Sequence, residues 1–514
     1  HSGTRMAPPR KGMGKHMNST RKRFLLWALA LLLLTPGLYS CGEKGGQEQT
    51  AAATDTDTDT MAETDTETQR LKPDLPVQDY DGYTFSAVHW KISDDWKSRL
   101  VNDFYVDELN GDALNDAVYN RNALIAETYN IQYHLEYADV NPMIKKMVQS
   151  GDDTYDIAYQ ILTQSTAMVT DGLLYNLYDV PHLALDMPWW DQNSVEALSV
   201  GRTLRMASAA ISVEDKNATS AILFNKDIAR DHGVGDLYAI VSEGVWTMDR
   251  MKAVYENVTT DLDGDGKMTL EDLWGFLSKR DAGYCVYFGA GGTFITKNED
   301  GTLSDSFKQG FNIEVLQKVQ DMMSDETAIY DQHRGSQDAK PVDDTPFREL
   351  FLNGHGLFFW SRFDDVLALR DMDAPFGILP IPKYDEAQER YASLVSRHTT
   401  ALLGIPISVQ DIERTGILIE ALSAESLYTV TPAYYETTLK GKATRDSDSD
   451  AMVDLIFANR IYDLGDIYDI GEWPGNVLTN LITTKKKNVV SSYESYQKKI
   501  ATAIEKFTKA YSGG

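Results

Sequence analysis

The run YTFSAVHW, Tyr83–Trp90, is β-rich and alternates, and the segments after it decide the fold. Ala113–Tyr129 carries apolar residues at helical spacing, Ile131–Tyr137 alternates again, Pro142–Gln149 is helical, and Tyr155–Leu162 is a continuous strand of the buried type. Strand, helix, strand, helix, strand with short connections predicts an α/β layer with parallel pairing.

Downstream the alternation returns. Ser220–Phe224 reads as a strand, Asp227–His232 as a helix, and Trp246–Val258 as a helix with Thr247 at its N-cap. Strands follow at Leu357–Trp360, Gly377–Pro380 and Ala401–Pro406, with helices at Asp411–Ala424 and Asp450–Arg460. No solenoid period is visible, so two α/β lobes are expected rather than one large sheet.

Hydrophobic residues make up 42% of the 514 positions and there are 27 tyrosines, the composition of a folded body. Forty-nine basic against 77 acidic residues leave a net charge of −28, whose field repels polyanions, so no nucleic-acid partner is expected. Only two cysteines occur, Cys41 and Cys285. Cys285, inside the run Gly283–Phe288, reads as a small buried apolar residue.

At the N-terminal end, Arg21-Lys22-Arg23 precedes an apolar run from Phe24 to Leu34 and then Leu38-Tyr39-Ser40-Cys41. The run is too short to span a bilayer stably and has the order of a secretory signal; residues 1–16 lie ahead of Met17, which opens that signal by itself. The ending resembles the bacterial lipobox, with Tyr39 where a small residue is usual, and this resemblance makes Cys41 the lipidated first residue of the mature chain. The alternative is an ordinary secretory signal. Residues 1–41 are thus read as leader, and 42–79, rich in Thr, Asp and Glu, as a disordered acidic tether with too few apolar groups to offset ordering.

A family resemblance rests on Leu223-Phe224-Asn225-Lys226-Asp227, Glu243–Thr247, Phe351–Phe359, Phe376–Tyr384 and Thr431–Tyr435. Together these resemble the extracellular solute-binding proteins, family 1 type, of bacterial carbohydrate ABC importers. The resemblance implies a two-lobed periplasmic-binding-protein-like fold of type II, its lobes joined by a hinge of several chain crossings. Placed on this chain, the first lobe is 80–210 plus 400–432 and the second 213–398 plus 440–514, with crossings near Ser208–Asn217, His398–Thr400 and Tyr434–Lys442. It further implies a monomeric, lipid-anchored receptor outside the cell membrane, without enzymatic activity, that hands a sugar or oligosaccharide to permease subunits. An anchored glycoside hydrolase or lyase, and a receptor that does not transport, are the alternatives.

Two constellations carry candidate chemistry. In residues 261–272, Asp261, Asp263, Asp265 and Asp272 with the carbonyl of Lys267 fit the spacing of a calcium loop, and Gly266 stands at its sharp turn. Calcium is therefore the expected cofactor, with a structural role; an acidic, glycine-rich turn without metal is the plain alternative. The other is aromatic. Sugars present C–H faces ringed by hydroxyls, so Trp360 with Arg362, Trp90, Tyr434, Tyr435 and Tyr284 are candidate ligand residues, each with a core-packing alternative. Trp96, Trp189, Trp190 and Tyr287 belong to the same aromatic set. The templates Gly-x-Ser-x-Gly, Gly-x-Gly-x-x-Gly and His-Glu-x-x-His are all missing, while a pair of glycosidase carboxylates has no sequence signature.

Overall fold

The strand expected at the start of the body forms as read: β1 (Tyr83–Trp90) lies parallel between β2 (Ile131–Ala138) and β3 (Ile157–Ile161), with Val88 opposite both Glu136 and Ala158. The crossovers are α1 (Ala113–Tyr129), capped by Asp112, and α2 (Val140–Ser150), whose Pro142 sits in the first turn where its missing N–H costs nothing. In this computed structural model residues 70–512 are described except 92–102, 280, 309, 332–344, 370, 371, 373, 440–446, 485 and 487. The leader, Cys41, Trp96 and the tether up to residue 69 lie outside the described residues. Residues 70–79, expected in the tether, run against the body instead: Leu71 N donates to the Tyr428 hydroxyl at 3.0 Å, and the Arg70 guanidinium lies 5.2 Å from the Tyr428 ring centre.

β3 begins two residues later than its apolar run because Asp156 has a different task. Its buried carboxylate accepts from Ser86 N at 2.9 Å, the Tyr83 hydroxyl at 3.1 Å and the Thr415 hydroxyl at 2.9 Å, fastening β1 and a distant helix to the strand entry.

The second sheet uses β4 (Ser220–Asn225), β5 (Trp274–Ser278), β6 (Ile329–Asp331), β7 (Gly356–Arg362) and β8 (Phe376–Leu379), in the order β8-β4-β7-β5-β6. β4 is antiparallel to both neighbours, whereas β5 runs parallel to β6 and β7. Thr247 caps α3 (Met248–Val258) by accepting from Arg250 N at 3.2 Å. The helix α4 (Ala282–Gly289), buried along its whole length, has no counterpart among the sequence expectations.

The chain then returns. β9 (Ala401–Gly404) adds antiparallel to β3 and completes a sheet in the order β9-β3-β1-β2; α5 (Ile412–Tyr428) and α6 (Val430–Leu439) come next. A 24-residue helix, α7 (Val489–Ser512), ends the fold and is likewise absent from the sequence expectations. The segments passing between the sheets lie side by side: Ser396 N donates to Ala218 O at 3.0 Å, and Glu214 accepts from Ala401 N at 2.8 Å. Glu214 also meets His89 Nε2 at 3.1 Å, at the end of β1. Nearby, Asp103 accepts from the Ser212 hydroxyl at 2.8 Å and Val213 N at 2.7 Å. Burial and the adjacent Glu214 charge push the Asp103 carboxyl up to about 6.

Candidate functional site

Where the second crossing passes the end of β7, a cavity of about 140 Å³ opens, lined among others by Trp360, Tyr284, Arg397, Asp466 and Asp469. Each wall has a different origin. Trp360 comes from β7, Tyr284 from the first turn of α4, Arg397 from the crossing, and the two aspartates from residues 464–470.

The polar groups interlock. The Tyr284 hydroxyl donates to Asp466 Oδ1, and Arg397 Nε stands 3.2 Å from the same oxygen in an ion pair without hydrogen-bond alignment. Arg397 Nη1 donates to the Asp466 backbone oxygen at 2.6 Å and lies 3.7 Å from Asp469 Oδ1. The main chain of Arg397 is held from the other side, where Thr163 N donates to its carbonyl at 3.2 Å. One residue therefore links the β3 side of the cavity to the segment carrying both aspartates.

Local backbone makes room for this. A Cβ on residue 475 would stand 2.2 Å from Arg397 Nη2, so glycine at that position lets the guanidinium lie against the chain. Asp469, a non-glycine residue at φ 45°, is held in the left-handed region; Gly475 N donates to its Oδ1 at 2.8 Å. Left-handed non-glycine backbone costs free energy and persists where surrounding structure imposes it, often at ligand sites.

Burial sets the electrostatics. It raises the Asp466 carboxyl above its ordinary range, against the pull of Arg397 and the Tyr284 hydrogen bond, and it drives the Tyr284 hydroxyl well up, with the Asp466 charge adding to it. For Arg397 burial opposes the charge, but the Asp466 carboxylate outweighs it and keeps the guanidinium cationic. Three buried atoms of the lining residues have no hydrogen-bond partner among the described residues: the Trp360 indole Nε1, Asp466 Oδ2, and Arg397 Nε, which has only its ion pair with Asp466 Oδ1. A buried unpaired donor or acceptor costs about 1–3 kcal/mol, and a ligand that satisfies Trp360 Nε1 and Asp466 Oδ2 recovers it there.

Of the ligand residues expected from the sequence, the fold brings Trp360 and Tyr284 together here. Arg362 lies on the same strand face, its guanidinium 5.9 Å from the Trp360 ring and paired with Asp364 at 3.1 Å. Trp90 is elsewhere, stacked on His89 at the end of β1. Tyr434 is fully buried in the hydrophobic cluster that includes Phe363 and Phe457, its hydroxyl 3.4 Å from Asn217, and Tyr435 packs edge-on against Phe457. Both follow the core-packing alternative, because α6 turns that face inward. Trp189 and Trp190 are core as well: their indoles donate to the two oxygens of buried Glu420 at 2.8 and 3.0 Å. The Tyr287 hydroxyl donates to Thr293 O at 3.1 Å within an aromatic cluster. Cys285 is buried and free, as its apolar surroundings suggested.

Sequence reasoning missed Arg397, Asp466 and Asp469. The available signal was local: Asp466 and Asp469 lie in Gly465–Gly475, where three glycines and Pro474 flank Trp473 within eleven residues.

At the calcium-type loop, Asp261, Asp263 and Asp265 bring carboxylate oxygens within 4.8 Å of one another, and Gly264 and Gly266 supply φ of 72° and 83°. Asp272 is not part of that group. Its oxygens accept from Leu262 N at 2.8 Å and Thr269 N at 2.6 Å, so this carboxylate, one methylene shorter than the usual glutamate, closes the ends of the loop instead. Asp261 also accepts from the backbone of Gly264 and Gly266, both at 2.8 Å.

No protein-family model and no curated protein matches the chain. Solved structures do. An ABC substrate-binding protein from Listeria monocytogenes in complex with cycloalternan aligns with a TM-score of 0.51 and 12% identity, over 84% of this chain and 99% of its own. UspC of M. tuberculosis gives 0.53 and 14%, over 82% and 100%. The chain has the two-lobed fold of ABC substrate-binding proteins. A cyclo/maltodextrin-binding protein complexed with maltotetraose shares that fold at 0.51 and 13%, over 84% of this chain and 98% of its own.

Proposed function

We propose that this protein is a sugar receptor of an ABC importer that takes its ligand into the Trp360 cavity. The carrying observation is the convergence, in one 140 Å³ cavity, of a flat indole with an unpaired N–H, a buried carboxylate with an unpaired oxygen, and an arginine. A sugar hydroxyl both donates and accepts, so it answers both unpaired atoms while its C–H face covers the indole. The fold supports the reading, since proteins that share it are described in complex with cycloalternan and maltotetraose.

In this reading the ligand shifts a population. Arg397 links the β3 side of the cavity to the segment of Asp466, so a bound sugar stabilises the arrangement in which both sides meet it, and the permease reads that closed form. Lipid on Cys41 and the acidic segment after it would hold a monomeric receptor outside the cell membrane, with the permease subunits as its partner. Asp261, Asp263 and Asp265, with the Lys267 carbonyl, would hold a structural calcium ion.

The test is a thermal-shift titration with monosaccharides and short oligosaccharides, followed by recovery of the sugar. A sugar that raises Tm and returns intact is the expected result. A cleaved sugar would replace the receptor by a hydrolase, and no response to any sugar would remove the carbohydrate assignment.

A further inference from the structure

If the Trp360 cavity is the sugar site, as proposed above, its size and charge also restrict which sugar it takes. Its volume of about 140 Å³ is close to the roughly 150 Å³ of an engineered cavity that holds one benzene ring. A single six-membered ring fills such a space, and a second ring would lie outside it on the open side. The larger cavity at the other end of α4, about 490 Å³, is lined by Arg460, whose Nη2 meets Asp191 at 3.2 Å and Asp215 at 3.3 Å while its Nε and Nη1 make no hydrogen bond among the described residues.

Charge narrows the choice further. Arg397 is shared by Asp466 and Asp469, at 3.2 and 3.7 Å, and a third carboxylate, Asp281 at the start of α4, also lines the cavity. The unpaired acceptor in this group is Asp466 Oδ2, on a side chain that is 1% exposed. A carboxylate or phosphate on the ligand would add a negative charge beside a buried carboxylate that has one guanidinium to share, a like-charge contact at low dielectric. A protonated amine instead completes the pairing, and a hydrogen bond from a charged donor to a carboxylate is stronger than one from a hydroxyl.

We propose that the cavity selects a single-ring amino sugar, its ammonium received by Asp466 Oδ2 and a ring hydroxyl accepting from the Trp360 indole N–H. The ring face lies on Trp360, and uronates and sugar phosphates are excluded. The net charge of −28 acts in the same direction by drawing cations toward the molecule.

The experiment is calorimetric titration of the wild-type protein with the matched pairs glucose and glucosamine, galactose and galactosamine, mannose and mannosamine, together with glucuronate, galacturonate and a series of di- to tetrasaccharides. It is run at a pH where the amines are protonated. In at least one pair the amino member should bind about tenfold tighter than its neutral partner, the gap between a charge-assisted and a neutral hydrogen bond, and the uronates should not bind. Asp466→Asn should reduce that gap to less than about threefold. Equal or tighter binding of the neutral partners, or binding of a uronate, overturns the amine selection while leaving the sugar receptor standing. Binding confined to longer glycans overturns the single-ring limit, and silence from every sugar, mono- and oligosaccharide, removes both this proposal and the reading under it.

Discussion

Trp360 does two jobs with one side chain. It is 1% exposed and belongs to the main hydrophobic cluster, yet it lines the cavity and carries an unpaired indole N–H. Truncation to alanine therefore mixes two losses, since emptying a buried tryptophan site costs about 3–5 kcal/mol by itself. Trp360→Phe separates them: Tm should fall by a few degrees, while sugar affinity drops by about tenfold through the lost donor. Unchanged affinity in a folded Trp360→Phe variant would take the indole out of the site. Glu420 supplies the comparison case. Glu420→Leu should leave two indoles unsatisfied and lower stability by about 2–4 kcal/mol without altering sugar affinity, as read by denaturant unfolding and calorimetry.

At the scale of the element, local chemistry was legible and long-range chemistry was not. Thr247 announced α3 because a cap needs only its own helix, and β1 to β3 announced themselves by pattern. The helix α7 also had a readable stripe, Val489, Tyr493, Ile500, Phe507 and Tyr511, whose steps of four and seven keep one face inward. Tyr284 and Trp360 were visible as aromatic types. Arg397 and Asp466 were not, because 69 residues separate them and their pairing exists only in the fold. The same limit applies to the loop at 261–272, where spacing indicated a position-12 ligand but could not show that the shorter Asp272 side chain would bind backbone instead. That geometry separates two responses. Calcium should raise Tm of the wild type and not of the Asp261→Ala, Asp263→Ala, Asp265→Ala triple variant, whereas Asp272→Ala should lower Tm with or without calcium. A calcium response that survives the triple change would place the ion elsewhere.

At the scale of the molecule, the pH profile reports the buried acids. Asp103 and Asp463, both raised to about 6 mainly by burial, are protonated in the folded state at pH values where the unfolded chain has already ionised them. Their contribution is complete below the ordinary value of 3.8 and is lost as pH rises through about 6. His89 acts in the same direction at higher pH. Burial works against its charged form, but the Glu214 carboxylate outweighs this and raises it, so its contribution fades as pH climbs above the ordinary 6.5. Stability should therefore fall as pH rises from below 4 to 7, by roughly 3 kcal/mol in all from Asp103. Asp103→Asn, which keeps an acceptor for Val213 N, should flatten that slope in urea unfolding; an unchanged slope would mean that this carboxyl is ionised in the fold.

Occupancy of the Trp360 cavity by a sugar is tested most directly by a crystal structure of the protein grown with whichever sugar gives the largest thermal shift. One ring should lie against the Trp360 indole, with ligand donor and acceptor atoms about 3 Å from Asp466 Oδ2 and Trp360 Nε1. A sugar seated instead in the cavity at the far end of α4, with no ligand atom at Asp466, would contradict the assignment.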